Sequence, residues 1–513
     1  MQRLLPVLII ALPLVPLLAA AAGMGRHARV ARRALTGGAW LTLGIAAIAT
    51  VLGFAGEPAG WRWAPVPEYP ALAVSLRWDP LSSVFTLLVC WLAWAVVRFS
   101  RTYLEGDTRE GDYYLWLGLT FSSVLAWASA GNLLVLLAGW LCTRRCLHRL
   151  LTHRVDRPGA HAAARQKRLA GRLAELLMLG VLALTYHTFG TWEFDALFAA
   201  AATGAPGHVS LLALLLVAAA ALSSAQVPFH TWLPDTMETP TPVSAFMHAG
   251  IINAGGFLVL RLSPLISAAP AAQLTLGLIG GATAAYGAVV MLTQPTVKRA
   301  LAYSTIAQMG FLFLQCGLGA YGLAFLHLLA HAVYKAHAFL HAGSTVDAPA
   351  RAAIPLRGSM VAIAALVATL LVLGLSAVVS AAGLPPAGTN GILLLPLALA
   401  LAYGLARLWS IVSTSRARLQ GVWVATLVCS ASLLLHHGAG GFDWGQPAGA
   451  PSPALLWLVG LLFAGLFACQ GLVWCAGRSA VGRSLYVHAL NGFYLGTAVH
   501  RLLRPRRTPG WSR

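Results

Sequence analysis

Apolar runs of about 18 residues or more recur from one end of this chain to the other, and each is long enough to cross a hydrocarbon core as a helix. Of its 513 residues, 58% are hydrophobic and only 10% are charged, with a mean hydropathy of +0.74. Soluble domains carry roughly a quarter charged residues. A chain so poor in charge cannot clothe a water-facing surface, so lipid must be its main solvent. The lipid bilayer is therefore its first partner.

Counting the runs, from those near Leu4 and Leu35 to those near Leu455 and Val487, predicts about 14 membrane helices in an all-α, polytopic fold. The run from Leu4 to Ala22 is too long and uniformly apolar for a signal peptide and reads as the first span. No Ser/Gly linker or second compositional regime interrupts residues 1–513, which read as one integral membrane domain. Seven scattered cysteines without a Cys-x-x-Cys pair argue against a disulfide frame or zinc knuckle.

The formal net charge of +20 invites a nucleic-acid reading. Its distribution points instead to topology and anionic lipid. Arg26, Arg29, Arg32 and Arg33 form one group, and Arg144 through Lys167 to Arg172 another, both read as short loops beside spans. No nucleic-acid partner is expected.

Two segments read as interrupted helices, or alternatively as a proline-started helix and a long tilted one. The first is Thr239-Pro240-Thr241-Pro242, opening the span that holds His248; the second runs from Leu323 to Val346. Broken helices at membrane depth are tolerated where neighbours satisfy the freed backbone, and in transporters they mark ion routes.

Within the second segment, His327, His331 and Lys335 stand at i, i+4 and i+8 and drift only about 40° per step, so they form one stripe. Ionisable side chains at membrane depth are costly and mark proton relays or ion pathways. A zinc reading fails on the missing His-Glu-x-x-His pattern and on Lys335 beside the cation. Carboxylates are scarce, with 15 Asp and Glu in all. Glu175, three residues after Arg172, is the one placed in a span, where the two can pair as an ion pair or serve proton transfer. Asp235 and Glu238 flank the proline-rich break and are placed to cap the following helix or guard its mouth. No Walker loop, Rossmann glycine pattern or haem-attachment motif is present, so no cofactor and no catalytic site are expected in this chain.

The run Ser223-Ser-Ala-Gln-Val-Pro-Phe-His-Thr-Trp-Leu-Pro-Asp-Thr-Met-Glu-Thr-Pro-Thr-Pro-Val-Ser-Ala-Phe-Met-His-Ala249 resembles the signature of the antiporter-like subunits. These are the large membrane subunits of respiratory complex I and of Mrp-type cation/proton antiporters. Lys298-Arg-Ala-Leu-Ala-Tyr-Ser-Thr-Ile-Ala-Gln-Met-Gly310 and the His327/His331/Lys335 stripe resemble two further motifs of that family. The resemblance covers residues 76–346 and leaves 355–513 as divergent C-terminal helices. It implies a cation path, for protons or sodium ions, in which His248, Lys298, His327, His331 and Lys335 form the hydrophilic axis.

Two departures stand out. Leu141 occupies the position of the family's Gly-Trp-Glu glutamate, and Ser223 that of its lysine before the Pro-Phe-His element. Arg172-Leu-Ala-Glu175 matches the family's Arg-x-x-acid and leaves Glu175 as the acid there.

One branch lies closer, through Ser75-Leu-Arg-Trp-Asp-Pro-Leu81, Val97-Arg-Phe-Ser-Arg-Thr-Tyr-Leu-Glu-Gly-Asp107 and Leu485-Tyr-Val-His-Ala-Leu-Asn-Gly-Phe-Tyr494. These resemble the DabB-type membrane subunits of two-component inorganic-carbon accumulation complexes. That resemblance implies a bacterial inner-membrane subunit whose cation flow drives CO2 hydration to bicarbonate in a large soluble, zinc-containing DabA-type partner similar to β-carbonic anhydrases. Three other readings stay open: a proton-pumping subunit of a quinone oxidoreductase or hydrogenase, an Mrp-type sodium/proton antiporter subunit, and a membrane anchor whose polar axis is vestigial.

Overall fold

A computed structural model describes residues 4–25, 27–55, 59–154, 157–203, 207–345, 358–383, 388–412, 414–439, 452–474 and 479–503. Helices dominate. The N-terminal part contains α1 (Leu4–Gly23), α2 (Ala28–Phe54), α3 (Pro80–Tyr103), α4 (Glu110–Ala128), α5 (Leu133–Leu151), α6 (Pro158–Phe189), α7 (Phe194–Ala202) and α8 (Val209–Ser223). The middle holds α9 (Trp232–Asp235), α10 (Thr241–Ala249), α11 (Ala254–Arg261), α12 (Ser263–Ser267), α13 (Pro270–Met291), α14 (Val297–Gly317) and α15 (Tyr321–Leu340). The C-terminal helices are α16 (Gly358–Ala381), α17 (Leu394–Ile411), α18 (Ser415–Ala439), α19 (Pro453–Trp474), α20 (Ala480–Leu490) and α21 (Leu495–Leu503).

Among the described residues, eleven helices or helix pairs are long and apolar enough to cross a membrane. Adding α4, α5 and α14, which have 19, 19 and 21 residues and so the length to span, brings the count to the expected 14. One small sheet interrupts the all-α pattern. Strand β1 (Ala59–Trp63) pairs antiparallel with β2 (Val74–Trp78), Ala59 opposite Trp78 and Trp63 opposite Val74. Its alternating Trp and polar residues give it a half-buried face, a period too short to register beside 20-residue apolar runs.

Without a hydrophobic drive between helices in lipid, close packing rests on small residues. The α13–α14 pair shows this: a Cβ on Gly310 would lie 2.5 Å from the Ala284 nitrogen, and one on Gly287 2.7 Å from the Ala307 nitrogen. Those glycines commit one face of α14 to α13. The opposite face is left for the polar residues described below.

The breaks differ from the expected positions. Pro240 and Pro242 do open a helix, α10, where Pro242 needs no amide hydrogen bond. The interruption of that span falls further on, at the 3-10 turn Ile251–Asn253 between α10 and α11. The chain also unwinds earlier, between α8 and α9. The second segment is continuous from Tyr321 to Leu340, and its break is the 3-10 turn Ala342–Thr345 at the end. Val346 lies outside the described residues. The basic group Arg144 to Arg172 also departs from a loop reading: Arg144 and Arg145 sit in α5, and Lys167, Arg168 and Arg172 in α6.

Candidate functional site

Helix α14 carries Lys298, Leu301, Thr305, Gln308 and Gln315 along one face, at spacings of three, four, three and seven residues. From Lys298 to Gln315 that stripe rises about 25 Å, most of a hydrocarbon core. Its partners come from α10 and α15. Lys298 Nζ donates to Thr241 Oγ1 at 3.0 Å, and Lys335 Nζ to the Leu301 carbonyl at 2.9 Å. Thr305 Oγ1 donates to the same carbonyl at 3.0 Å and lies 3.1 Å from His248 Nδ1. At the far end His327 is held on both ring nitrogens, by Gln315 Oε1 and Gln308 Oε1, each at 2.7 Å.

His331 completes the seam. Its ring centroid is 6.3 Å from that of His327, and it faces the His248 backbone. The His248 ring stacks on Phe339 at 4.3 Å. His248 and Lys335 are fully buried and His331 nearly so. Among the described residues, His248 Nε2 and His331 Nε2 have no hydrogen-bond partner. The five axis residues read from the sequence thus lie along one seam, in three hydrogen-bonded groups around Lys298, around His248 with Lys335, and around His327. Thr241, Thr305, Gln308 and Gln315, which join it, were missed. Their signal was the three-and-four spacing within Lys298–Gln315, visible only once that run is placed on one helix.

Four other predicted residues take different places. Glu175 pairs with Arg144 of α5, Oε1 to Nε at 3.2 Å, and Arg172 is exposed, so the expected Arg172–Glu175 pair gives way to one between helices. Inter-helix reach wins because Arg144 can lie across Gly171, where any Cβ would collide with its guanidinium. Glu238 caps α6 rather than the helix that follows it, accepting from the Ala160 amide at 3.1 Å. Gly159 leaves room for that carboxylate. Asp235 ends α9, beside Tyr303. Ser223 turns its hydroxyl back onto the Ala219 carbonyl, while Leu141 packs against the core.

Among the described residues, no group of three His, Cys, Asp or Glu side chains stands close enough to hold a metal ion.

A second polar network lies at the α11 end. Asp79 caps α3 through the Ser82 amide at 2.8 Å and takes the Arg261 guanidinium, whose Nη2 is 3.2 Å from Oδ1; Arg77 Nε adds a contact at 2.7 Å. Arg261 also reaches Ser82, and Arg77 reaches Asp195.

A line of His, Lys and hydroxyl groups, buried at its centre and running most of the depth of a bilayer beside a broken helix, belongs to a polytopic membrane protein. The family is decided by comparison. The family described as NADH:quinone oxidoreductase/Mrp antiporter, TM, matches residues 130–417, and the complex I chain 5 N-terminus matches residues 63–114. The chain belongs to the NADH:quinone oxidoreductase/Mrp antiporter family. It is 42% identical over 308 residues to the probable inorganic carbon transporter subunit DabB2 of Halothiobacillus neapolitanus, covering 59% of this chain and 55% of that one. It is 40% identical over 286 residues to the corresponding DabB of Hydrogenovibrio crunogenus, covering 55% of each. It is also 35% identical over 276 residues to the NADH-quinone oxidoreductase subunit L of Mycobacterium tuberculosis, covering 53% of this chain and 44% of that one. A chain of the Mrp complex from Dietzia sp. DQ12-45-1b shares the fold, with a TM-score of 0.61 and 23% identity, covering 97% of this chain and 60% of that one. This chain spans little more than half the length of the curated relatives it matches.

Proposed function

We propose that this chain is the cation-translocating membrane subunit of an inorganic-carbon accumulation complex in a bacterial inner membrane. The observation that carries the translocation is the polar seam in which three hydrogen-bonded groups follow one another along α14: Lys298 with Thr241, Lys335 with Leu301, Thr305 and His248, and His327 with Gln308 and Gln315, with His331 between the last two. Histidine exchanges protons near neutrality, and a lysine on a carbonyl can pass one on without leaving its place. Protons are therefore the cation the seam suits best, ahead of sodium ions, which would need several oxygen ligands together.

In this reading, Glu175 and Arg144 set the charge at the margin of the route rather than carry the cation. The 37–42% identity to DabB-type subunits, against 35% for the complex I subunit, supports the carbon assignment. The partner would be a large soluble DabA-type protein that holds zinc and hydrates CO2, and this chain would contribute no catalytic group of its own.

The test is a tagged purification from native membranes in mild detergent, with co-purifying chains identified and zinc assayed. One large zinc-containing soluble partner is expected. Several membrane subunits accompanied by iron–sulfur or flavin proteins would move the chain to the redox class.

A further inference from the structure

Between α5 and α6 lies a cavity of about 700 Å³ whose wall carries Arg144, Arg145, Arg149, Lys167, Arg168 and Arg172 against a single carboxylate, Glu175. Like charges four residues apart on a helix repel, and here two helices bring such rows face to face. Among the described residues, the ion pair in this wall is Arg144 with Glu175, Nε to Oε1 at 3.2 Å.

Three of the groups are also held in place. Arg149 lies over the Trp116 ring, its guanidinium carbon 5.5 Å from the centroid. Arg144 rests on the bare backbone of Gly171, with its Nε 3.2 Å from Glu175 Oε1. Arg168 Nη2 is 2.9 Å from His148 Nε2. A guanidinium can only donate, so that nitrogen accepts and the proton sits on Nδ1. His148 Nδ1 is buried and has no hydrogen-bond partner among the described residues. Six cationic side chains on the wall of one space, with a single carboxylate among them, are what an oxyanion requires.

We propose that this cavity binds a phosphate-type oxyanion. Its volume exceeds what one small ion fills and suits a phosphate-bearing headgroup. Leu169, Leu173, Leu176 and Leu179 continue outward from the basic turns of α6 and are 55%, 43%, 65% and 50% exposed, a surface on which acyl chains can lie. Arg144 and Lys167 also line a smaller cavity of about 40 Å³ that reaches Ser223, Met247 and Ile251. The bound anion would therefore sit one side chain away from the broken span α10–α11. This inference stands apart from the carbon assignment, because it needs only the cavity and its charges.

The experiment is thermal unfolding of the purified full-length chain in neutral detergent, with two probes. Inorganic phosphate is titrated at ionic strength held constant with chloride, and phosphatidylglycerol is compared with phosphatidylcholine in mixed micelles. A rise in Tm with phosphatidylglycerol alone identifies a lipid headgroup; a rise with phosphate alone identifies the free ion; both support the site. The variant Lys167→Gln/Arg168→Gln should weaken the response about tenfold or more in apparent affinity. Gly171→Ala, which removes no charge but displaces Arg144, should weaken it as well, while Arg32→Gln in a separate basic groove leaves it unchanged. No rise above the chloride and phosphatidylcholine controls, or an undiminished rise in Lys167→Gln/Arg168→Gln, overturns the proposal.

Discussion

Thr305 has one hydroxyl proton, and it goes to the Leu301 carbonyl. The same oxygen can then only accept from His248 Nδ1, which places the free lone pair of that imidazole on Nε2. The Leu301 carbonyl, with two lone pairs, serves Thr305 and Lys335 together. One threonine therefore fixes both the tautomer of His248 and its tie to Lys335. Thr305→Val keeps the shape but leaves the His248 donor without an acceptor, a cost of about 1–3 kcal/mol. Transport in vesicles should fall by roughly tenfold, while Thr305→Ser keeps most of it; equal rates in the valine variant would remove Thr305 from the network. His327, His331 and Lys335 were legible in the sequence because ionisable groups stand out in an apolar run. Thr305, Gln308 and Gln315 were not, because neutral polar residues in spans are common and only the partner helix shows which of them face a histidine. Glu175 was legible as an acid in a span, but its partner Arg144 lies 31 positions away in the sequence and no same-helix rule reaches it.

At the scale of elements, the span carrying His248 is broken at Ile251–Asn253, so its second half needs an anchor of its own. Arg261, the last residue of α11, supplies it by binding Asp79 at the start of α3. Burial alone would push the Asp79 carboxyl up, but the Arg261 and Arg77 guanidiniums and the Ser82 amide more than offset that and hold it well below the usual carboxylate range. A depressed folded-state pKa stabilises the fold above the unfolded value of 3.8, and that stability is lost as pH falls through the folded value. Acidification from pH 7 to 5 should thus leave this anchor intact. Asp79→Asn, which strands a buried guanidinium, should cost about 3–5 kcal/mol in reversible unfolding. The double variant Asp79→Asn/Arg261→Gln should lose less than the two single changes together. Additive losses would show that the two residues are not coupled. The sequence contained Asp79 only as part of a Trp-Asp-Pro run; its pairing partner is 182 positions on and was not visible there.

Over the whole molecule, glycines press α14 onto α13 and leave its other face to the polar seam, so close packing and polar contacts divide one helix between them. The helix count was read from hydropathy because every backbone group in lipid must be satisfied within its own helix. The β1–β2 hairpin and the break points were not, since both depend on contacts between segments. The central claim is that cation flow along the seam powers carbon accumulation. It is tested most directly by labelled bicarbonate uptake into cells expressing the complete complex, with and without an uncoupler, comparing the wild type with Lys335→Ala. The account predicts uncoupler-sensitive uptake in the wild type and uptake at background in Lys335→Ala, with both proteins present in the membrane at equal amounts. Full uptake in Lys335→Ala would contradict it.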